Sequence, residues 1–214
     1  ARLASTLTGD LITVYKNNTD GKGVSYGTHE NYQVLREVPF GDLVKYLTPF
    51  FVTRCVFAGA GRVGLGQEDI EPGFQISQRA DFFEAEVGLE TTLRRPIINT
   101  RDEPHADPDL FRRLHVIIGD ANMSQRINYL KMGTTAIVLS MIEANFLKLD
   151  FELYDAVTSM HLVSHDYKFE TKQRLRDGSE MSALDIQKHY QSSAARFLTE
   201  TGETDKMAHD VVTQ

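Results

Sequence analysis

The sequence predicts an α+β fold, an antiparallel sheet with helices packed on one of its faces. Three observations carry that reading. Four short segments alternate apolar and polar residues with the period of a strand. The segment from Ser124 to Asn145 repeats apolar residues with the period of a helix. Turn-forming clusters of glycine, asparagine and aspartate punctuate the chain between such segments. The 214 residues are 41% hydrophobic and 25% charged, the balance of an ordinary globular chain.

Taken in order, residues 1–8 read as the tail of a helix closed by Gly9-Asp10, and Leu11-Ile12-Thr13-Val14-Tyr15 reads as a strand. So abrupt a beginning predicts that more protein precedes residue 1. A turn-rich loop, Asn17-Asn18-Thr19-Asp20-Gly21-Lys22-Gly23, leads to a strand over 26–36. Asp42 to Phe57 reads as a helix because Leu43, Leu47, Phe50, Phe51 and Arg54 recur at helical spacing. Pro49 is expected to kink or split it. Gly59, Gly61, Gly64 and Gly66 make a connection to short strands near 73–79, 82–88, 96–101 and 111–118. In the helix 124–145 the stripe is Ile127, Leu130, Thr134, Ile137, Val138, Met141 and Ile142. Residues 146–180 leave helix and strand open, with a turn at Asp177-Gly178. Ser182 opens a last helix, with Asp185 at the capping-box position, that stops before Gly202. The tail 203–214 reads as frayed or truncated.

The alternation sorts side chains by face. Tyr32 and Val34 oppose His29, Asn31 and Gln33, while Phe74 and Ile76 oppose Gln75, Ser77 and Arg79. Ile98 and Thr100 oppose Asn99 and Arg101, and Leu114, Val116 and Ile118 oppose Arg113 and His115. A half-wet antiparallel sheet explains the pattern by itself. However, the polar rows hold His, Arg, Asn, Gln and Ser with almost no Lys, a selection that suits a cavity for an anion or a metal. His29 and His115 are either a metal-binding pair or two histidines satisfied at the surface or in the core. Arg79 and Arg101 suit phosphate through their fixed fork of donors, or make surface salt bridges. The polar run from Arg94 to Asp107, stiffened by Pro104, is a site edge or a self-contained turn network. Gly21-Lys22-Gly23 lacks the ending of a P-loop, and Gly59-Ala60-Gly61-Arg62-Val63-Gly64 follows a helix rather than a strand, so neither is read as a nucleotide fingerprint.

Charge and cysteine content narrow the classes further. A net charge of −7 argues against a general nucleic-acid binder. Cys55 is the single cysteine and sits in an apolar run, which reads as a buried structural thiol in a reducing compartment. No stretch reads as a signal peptide or membrane span, so no membrane or nucleic-acid partner is expected and the location expected is the cytoplasm.

Long motifs then resemble one family. They are Lys16 to Gly23 running into Ser25-Tyr26-Gly27-Thr28-His29-Glu30-Asn31-Tyr32, then Gln75-Ile76-Ser77-Gln78-Arg79, Arg95 to Asp107, and Arg112-Arg113-Leu114-His115-Val116-Ile117-Ile118-Gly119-Asp120-Ala121-Asn122. They are similar to the Pup ligase and Pup deamidase family, related to glutamine synthetase and the carboxylate–amine ligases, over about residues 11–192. Asp20 to Gly23, Gly59 to Gly64, Glu71-Pro72-Gly73-Phe74-Gln75 and Glu86 to Leu93 resemble the deamidase branch, whereas Asn122-Met123-Ser124 is nearer the ligase.

The resemblance implies a curved antiparallel sheet, a partial glutamine-synthetase-like catalytic core, whose concave face holds ATP (or ADP with phosphate) and Mg2+. By similarity His29 and His115 are metal ligands, Arg79 and Arg101 contact phosphates, and Asn31 and Asn99 line the pocket. The family's acidic first strand, its catalytic aspartate and its small C-terminal domain are expected outside residues 1–214, so no catalytic residue is assigned within this chain. The activity implied is hydrolysis of a side-chain amide or isopeptide bond of the prokaryotic ubiquitin-like protein Pup. Partners implied are Pup, pupylated proteins and, where the protein is split, a separate chain carrying the N-terminal segment. ATP-dependent Pup–protein ligation and a non-catalytic nucleotide- or Pup-binding fragment are the alternatives.

Overall fold

The structure, a computed structural model, describes residues 1–20, 24–64 and 73–214. Gly21-Lys22-Gly23, Gly66 and Glu71-Pro72, singled out in the sequence, lie outside the described residues. Helix α1 (Arg2–Thr8) ends as expected at Gly9, which takes the left-handed conformation at φ 78° and returns its N–H to the Ser5 carbonyl. The expected strand at 11–15 does not form. Leu11 and Tyr15 are exposed, and the segment joins no ladder among the described residues.

Strand β1 (Glu30–Leu35) begins later than residue 26. Helix α2 (Phe40–Thr53) runs through Pro49, and the break before α3 (Cys55–Ala58) falls at Arg54 instead. Next come β2 (Arg62–Gly64), β3 (Gly73–Gln75), a 3₁₀ turn at Ala80–Phe82, β4 (Phe83–Gly88), β5 (Arg95–Asn99) and β6 (Phe111–Val116). Helix α4 (Gln125–Glu143) carries Ser124 as N-cap, its hydroxyl accepting from the Ile127 N–H. The open stretch 146–180 resolves into α5 (Ala156–His165), β7 (Lys172–Arg174) and the start of β8 (Glu180–Ser182), with Gly178 at φ 88° in the expected turn. Helix α6 (Ala183–Thr201) begins on Ser182, whose hydroxyl bonds the Asp185 carboxylate while accepting the Asp185 N–H, and ends at left-handed Gly202. The tail is not frayed: α7 (Lys206–Thr213) packs on α4 and α6, and Gly133 gives its Val211 the room to do so.

The mixture is α+β, with four two-stranded ladders among the described residues. Three are antiparallel, β1 with β6, β2 with β3 and β7 with β8, but β4 and β5 run parallel. The return loop 89–94 makes that possible. Asn99 clamps the Leu89 and Glu90 carbonyls, Arg95 clamps that of Thr91, and Arg94 takes a φ of 47°.

The face assignment holds for β1 and β6. Val34, Leu114 and Val116 are buried, whereas Asn31 and Gln33 are exposed. It fails in two places. Ile97, Ile98 and Asn99 are all buried, so β5 is covered on both faces. Phe74 is exposed, while Gln75, Ser77 and Arg79 are buried, because the Gln75 NH2, the Ser77 hydroxyl and the Arg79 guanidinium find partners inside. The core lies between the β1–β6 ladder and α2, α4 and α6, around Val34, Leu47, Phe50, Leu114, Met141 and Ile186.

Candidate functional site

The β1–β6 register places Asn31 opposite His115 and Gln33 opposite Arg113. His29 enters one residue before β1, on the Asn31 side. Its Nδ1 lies 3.0 Å from His115 Nε2, with ring centroids 4.9 Å apart. The two histidines thus share one face, as the alternation requires.

That spacing suits either a shared proton or a shared cation. Two cis ligands about 2.1 Å from an octahedral ion stand about 3.0 Å apart. His115 is buried, and its Nδ1 has no hydrogen-bond partner among the described residues. Burial pushes the His29 imidazole below its ordinary range, helped by the Arg79, Arg101 and Arg113 charges. Burial, then His29, Arg113 and Arg101, takes His115 down to about 4. Both rings are therefore neutral near pH 7, the state in which imidazole binds a metal. No cluster of three histidine, cysteine or acidic side chains suited to a metal occurs among the described residues. The pair therefore fits a metal whose other ligands come from elsewhere, and the cations around it fit an anion.

Arg101 is exposed beside the pair, and its backbone N–H is held by Asn99 Oδ1 at 2.9 Å. Asn99 itself is buried with both ends of its carboxamide engaged, so it supports Arg101 rather than lining a cavity. Asn31 is exposed and accepts from Arg113. Arg79 lies deeper than expected. Its Nη1 donates to the Ile117 and Gly119 carbonyls at 2.6 and 2.5 Å, and its Nε to Ser25 Oγ at 3.1 Å. The side chain is 1% exposed, and among the described residues Nη2 makes no hydrogen bond.

Residues the sequence reading left unassigned complete the setting. Arg113 reaches Glu103, and Asp102 pairs with Arg36 and accepts the Arg113 N–H, so the 102–107 loop is tied to β1 and β6. A cavity of about 170 Å3 opens between that loop and β1, lined by Asn31, Gln33, Pro104, His105 and Arg113. The loop is therefore one wall of this cavity rather than a self-contained turn network. Cys55 is half-buried rather than fully buried as expected, and burial pushes its thiol up to about 12. Beneath the histidines, on the opposite face of β1, Glu30 forms a two-armed ion pair with Arg54 at 2.7 and 2.8 Å. The sequence carries no signal for this pair, since a strand face and a helix break must meet to form it.

Gly27 is packed against the imidazole of His29, and a Cβ there would stand 2.7 Å from its Cδ2. Gly27→Ala is therefore expected to displace the ring and separate the pair. The His115 ring protons should shift in an NMR spectrum of the variant, and an unmoved His115 resonance would refute the contact.

The model of the Pup-ligase protein family matches residues 1–214. The chain belongs to this family. A depupylase of Acidothermus cellulolyticus is 56% identical over 213 residues, covering 99% of this chain and 42% of the relative. A Pup deamidase/depupylase of Mycolicibacterium smegmatis is 50% identical over 202 residues, covering 94% of this chain and 41% of the relative. The structure of the Pup ligase PafA in complex with ADP superposes with a TM-score of 0.83 at 42% identity, covering 94% of this chain and 45% of that one. The chain thus spans less than half the length of these Pup-ligase family members.

Proposed function

We propose that this chain is the central part of a glutamine-synthetase-like catalytic domain that hydrolyses the side-chain amide or isopeptide bond of Pup. Its ladders would be pieces of one curved sheet, completed by an acidic N-terminal strand and followed by a small C-terminal domain. The observation that carries this reading is the neutral His29–His115 pair, 3.0 Å apart and ringed by Arg79, Arg101 and Arg113. A paired imidazole edge under three cations suits a metal–phosphate assembly. The relatives named as depupylase and Pup deamidase/depupylase, at 56% and 50% identity, favour amide hydrolysis over ligation.

In this reading His29 and His115 hold Mg2+, while Arg101 and the free Nη2 of Arg79 bind the phosphates of ATP or of ADP. Asn99 fixes the backbone from which Arg101 projects, and Asn31 holds Arg113 toward the cavity. A bound metal would polarise the amide carbonyl and steady developing negative charge. Asp102 and Asp120 have their oxygens engaged in internal hydrogen bonds, and Glu103 is paired with Arg113. This favours a catalytic carboxylate supplied from outside the chain. Pup and pupylated proteins are the partners in this reading, and the cytoplasm its place of action. Among the described residues no helix is long and apolar enough to cross a membrane.

The test is to incubate Pup ending in glutamine with ATP, magnesium and either this chain or the chain joined to a relative's N-terminal segment. The joined protein should convert the terminal amide to an acid, read by mass spectrometry, while the chain alone should not. Robust, metal-dependent conversion by the chain alone would place the nucleophile within residues 1–214. Isopeptide formation from glutamate-ended Pup, without amide hydrolysis, would identify a ligase.

A further inference from the structure

Beneath the cationic wall lies a buried carboxylate without an assigned part. Asp120 is 3% exposed and sits just beyond β6. Its Oδ2 accepts the backbone N–H groups of Ala60 and Gln78 at 2.8 and 3.0 Å, and its Oδ1 accepts the Ser77 hydroxyl at 2.9 Å. Ser77 Oγ in turn accepts the Arg79 N–H at 3.1 Å. From the same segment, the Gly119 carbonyl receives Arg79 Nη1. One residue pair, Gly119-Asp120, therefore grips Arg79 at its guanidinium and, through Ser77, at its backbone. Lys131 closes the far side by donating to the Asp120 carbonyl at 2.8 Å. A carboxylate buried this deeply is costly unless every oxygen is bonded, and here the bonds converge on the segment that aims one arginine.

We infer that Asp120 is a positioning residue for anion binding, acting through Ser77 to set where Arg79 presents its free Nη2. The inference rests on the nucleotide reading above and adds to it a residue that touches neither metal nor phosphate. Its sign separates placement from charge. The Asp120 charge acts on Arg79 and opposes the effect of burial on that guanidinium. If charge alone counted, removing it would make the wall more positive and tighten anion binding. If placement counts, removal loosens Arg79 and weakens binding. Asp120→Asn is suited to the comparison. The carboxamide oxygen can keep the two backbone N–H groups, so the fold should survive, but its NH2 donates where Oδ1 accepted, so the Ser77 hydroxyl loses its acceptor and its hold on the Arg79 N–H is disturbed.

The experiment is titration calorimetry of MgATP against the full-length protein carrying this chain, with Asp120→Asn, Ser77→Ala, Ser77→Thr, Arg79→Lys and the double variant Asp120→Asn/Arg79→Lys. Asp120→Asn and Ser77→Ala should each raise Kd about tenfold, the order expected on disturbing one charge-assisted contact. Ser77→Thr keeps the hydroxyl and should restore most of the affinity. The double variant should bind no worse than Arg79→Lys alone, because Asp120 acts through that side chain. Tighter or unchanged binding in Asp120→Asn, or losses that add in the double variant, would overturn the inference while leaving the nucleotide reading intact. A wild-type protein that binds no MgATP would overturn the nucleotide reading, and the inference with it. Should Asp120→Asn not fold, the Ser77 pair decides alone: equal affinities for Ser77→Ala and Ser77→Thr would refute the relay.

Discussion

Arg54→Met is expected to cost about 3–5 kcal/mol of folding stability, the loss typical when one member of a buried ion pair is removed. Arg54 and Glu30 are each 2% exposed, so water cannot replace the missing partner. Glu30 would keep only the Tyr32 hydroxyl, at 2.6 Å, and Thr135 would lose its bond from Arg54. Burial by itself raises the Glu30 carboxyl, but the charge and hydrogen bonds of Arg54 override it and hold the group below its ordinary 4.5. A depressed carboxylate contributes stability that is present in full above 4.5 and is lost as pH falls below it. In Arg54→Met the sign reverses, since burial then dominates and the folded state favours the protonated acid. Urea unfolding of the variant should show its deficit shrinking as pH is lowered toward 4.5. The double variant Glu30→Gln/Arg54→Met should recover part of the loss, because no charge is left unpaired. Equal losses in the single and double variants would refute the account.

Arg79→Met is expected to destabilise by about 2–4 kcal/mol, since a buried acceptor left unsatisfied costs about 1–3 kcal/mol and two carbonyls are exposed to that fate. The Ile117 and Gly119 carbonyls follow β6 in a stretch where no strand among the described residues covers them, and Nη1 of Arg79 serves both. Methionine fills much of the same volume without a donor, so the loss reports bonds rather than a cavity. Arg79→Lys supplies one ammonium group and should fall between methionine and the wild type. Chemical unfolding checks both. A loss under about 0.5 kcal/mol for methionine, the range of an ordinary surface change, would mean that the two carbonyls are hydrated.

Much of this architecture could be read from spacing. Helices α4 and α6 carry their own N-caps and apolar stripes, and the turn at Gly178 its own glycine. The strand faces that bring His29 to His115 follow from alternation, because β1 and β6 have one wet side. Where both sides are covered, alternation stops informing: β5 shows no wet row, and Asn99 and Arg79 become internal braces. Leu11–Tyr15 has strand-like composition but no neighbour to pair with among the described residues, and propensity without a partner does not make a strand. The parallel pairing of β4 and β5 depends on Asn99 and Arg95 pinning the carbonyls of a loop upstream in the chain. Such side-chain bonds to loop carbonyls leave no periodic trace. The Glu30–Arg54 pair shows the same limit, with Gly119 leaving it space: a Cβ there would stand 2.6 Å from Glu30 Oε1.

The seat of α7 bears on how the molecule opens. This helix buries a single side chain, Val211, in the gap that Gly133 leaves on α4. Besides that valine, among the described residues half-buried Ala208 and Val212 and hydrogen bonds from Tyr129 and Gln191 to the Met207 and Val212 carbonyls are all that fasten these eight residues, a thin hold for a helix. Undocking α7 uncovers a strip of α4 without disturbing the histidines or the ion pair on the opposite face of β1. The molecule therefore carries a small cooperative unit that can come away and return while the rest stays folded. Its backbone amides should trade protons with water well before those at the centre of α4 do.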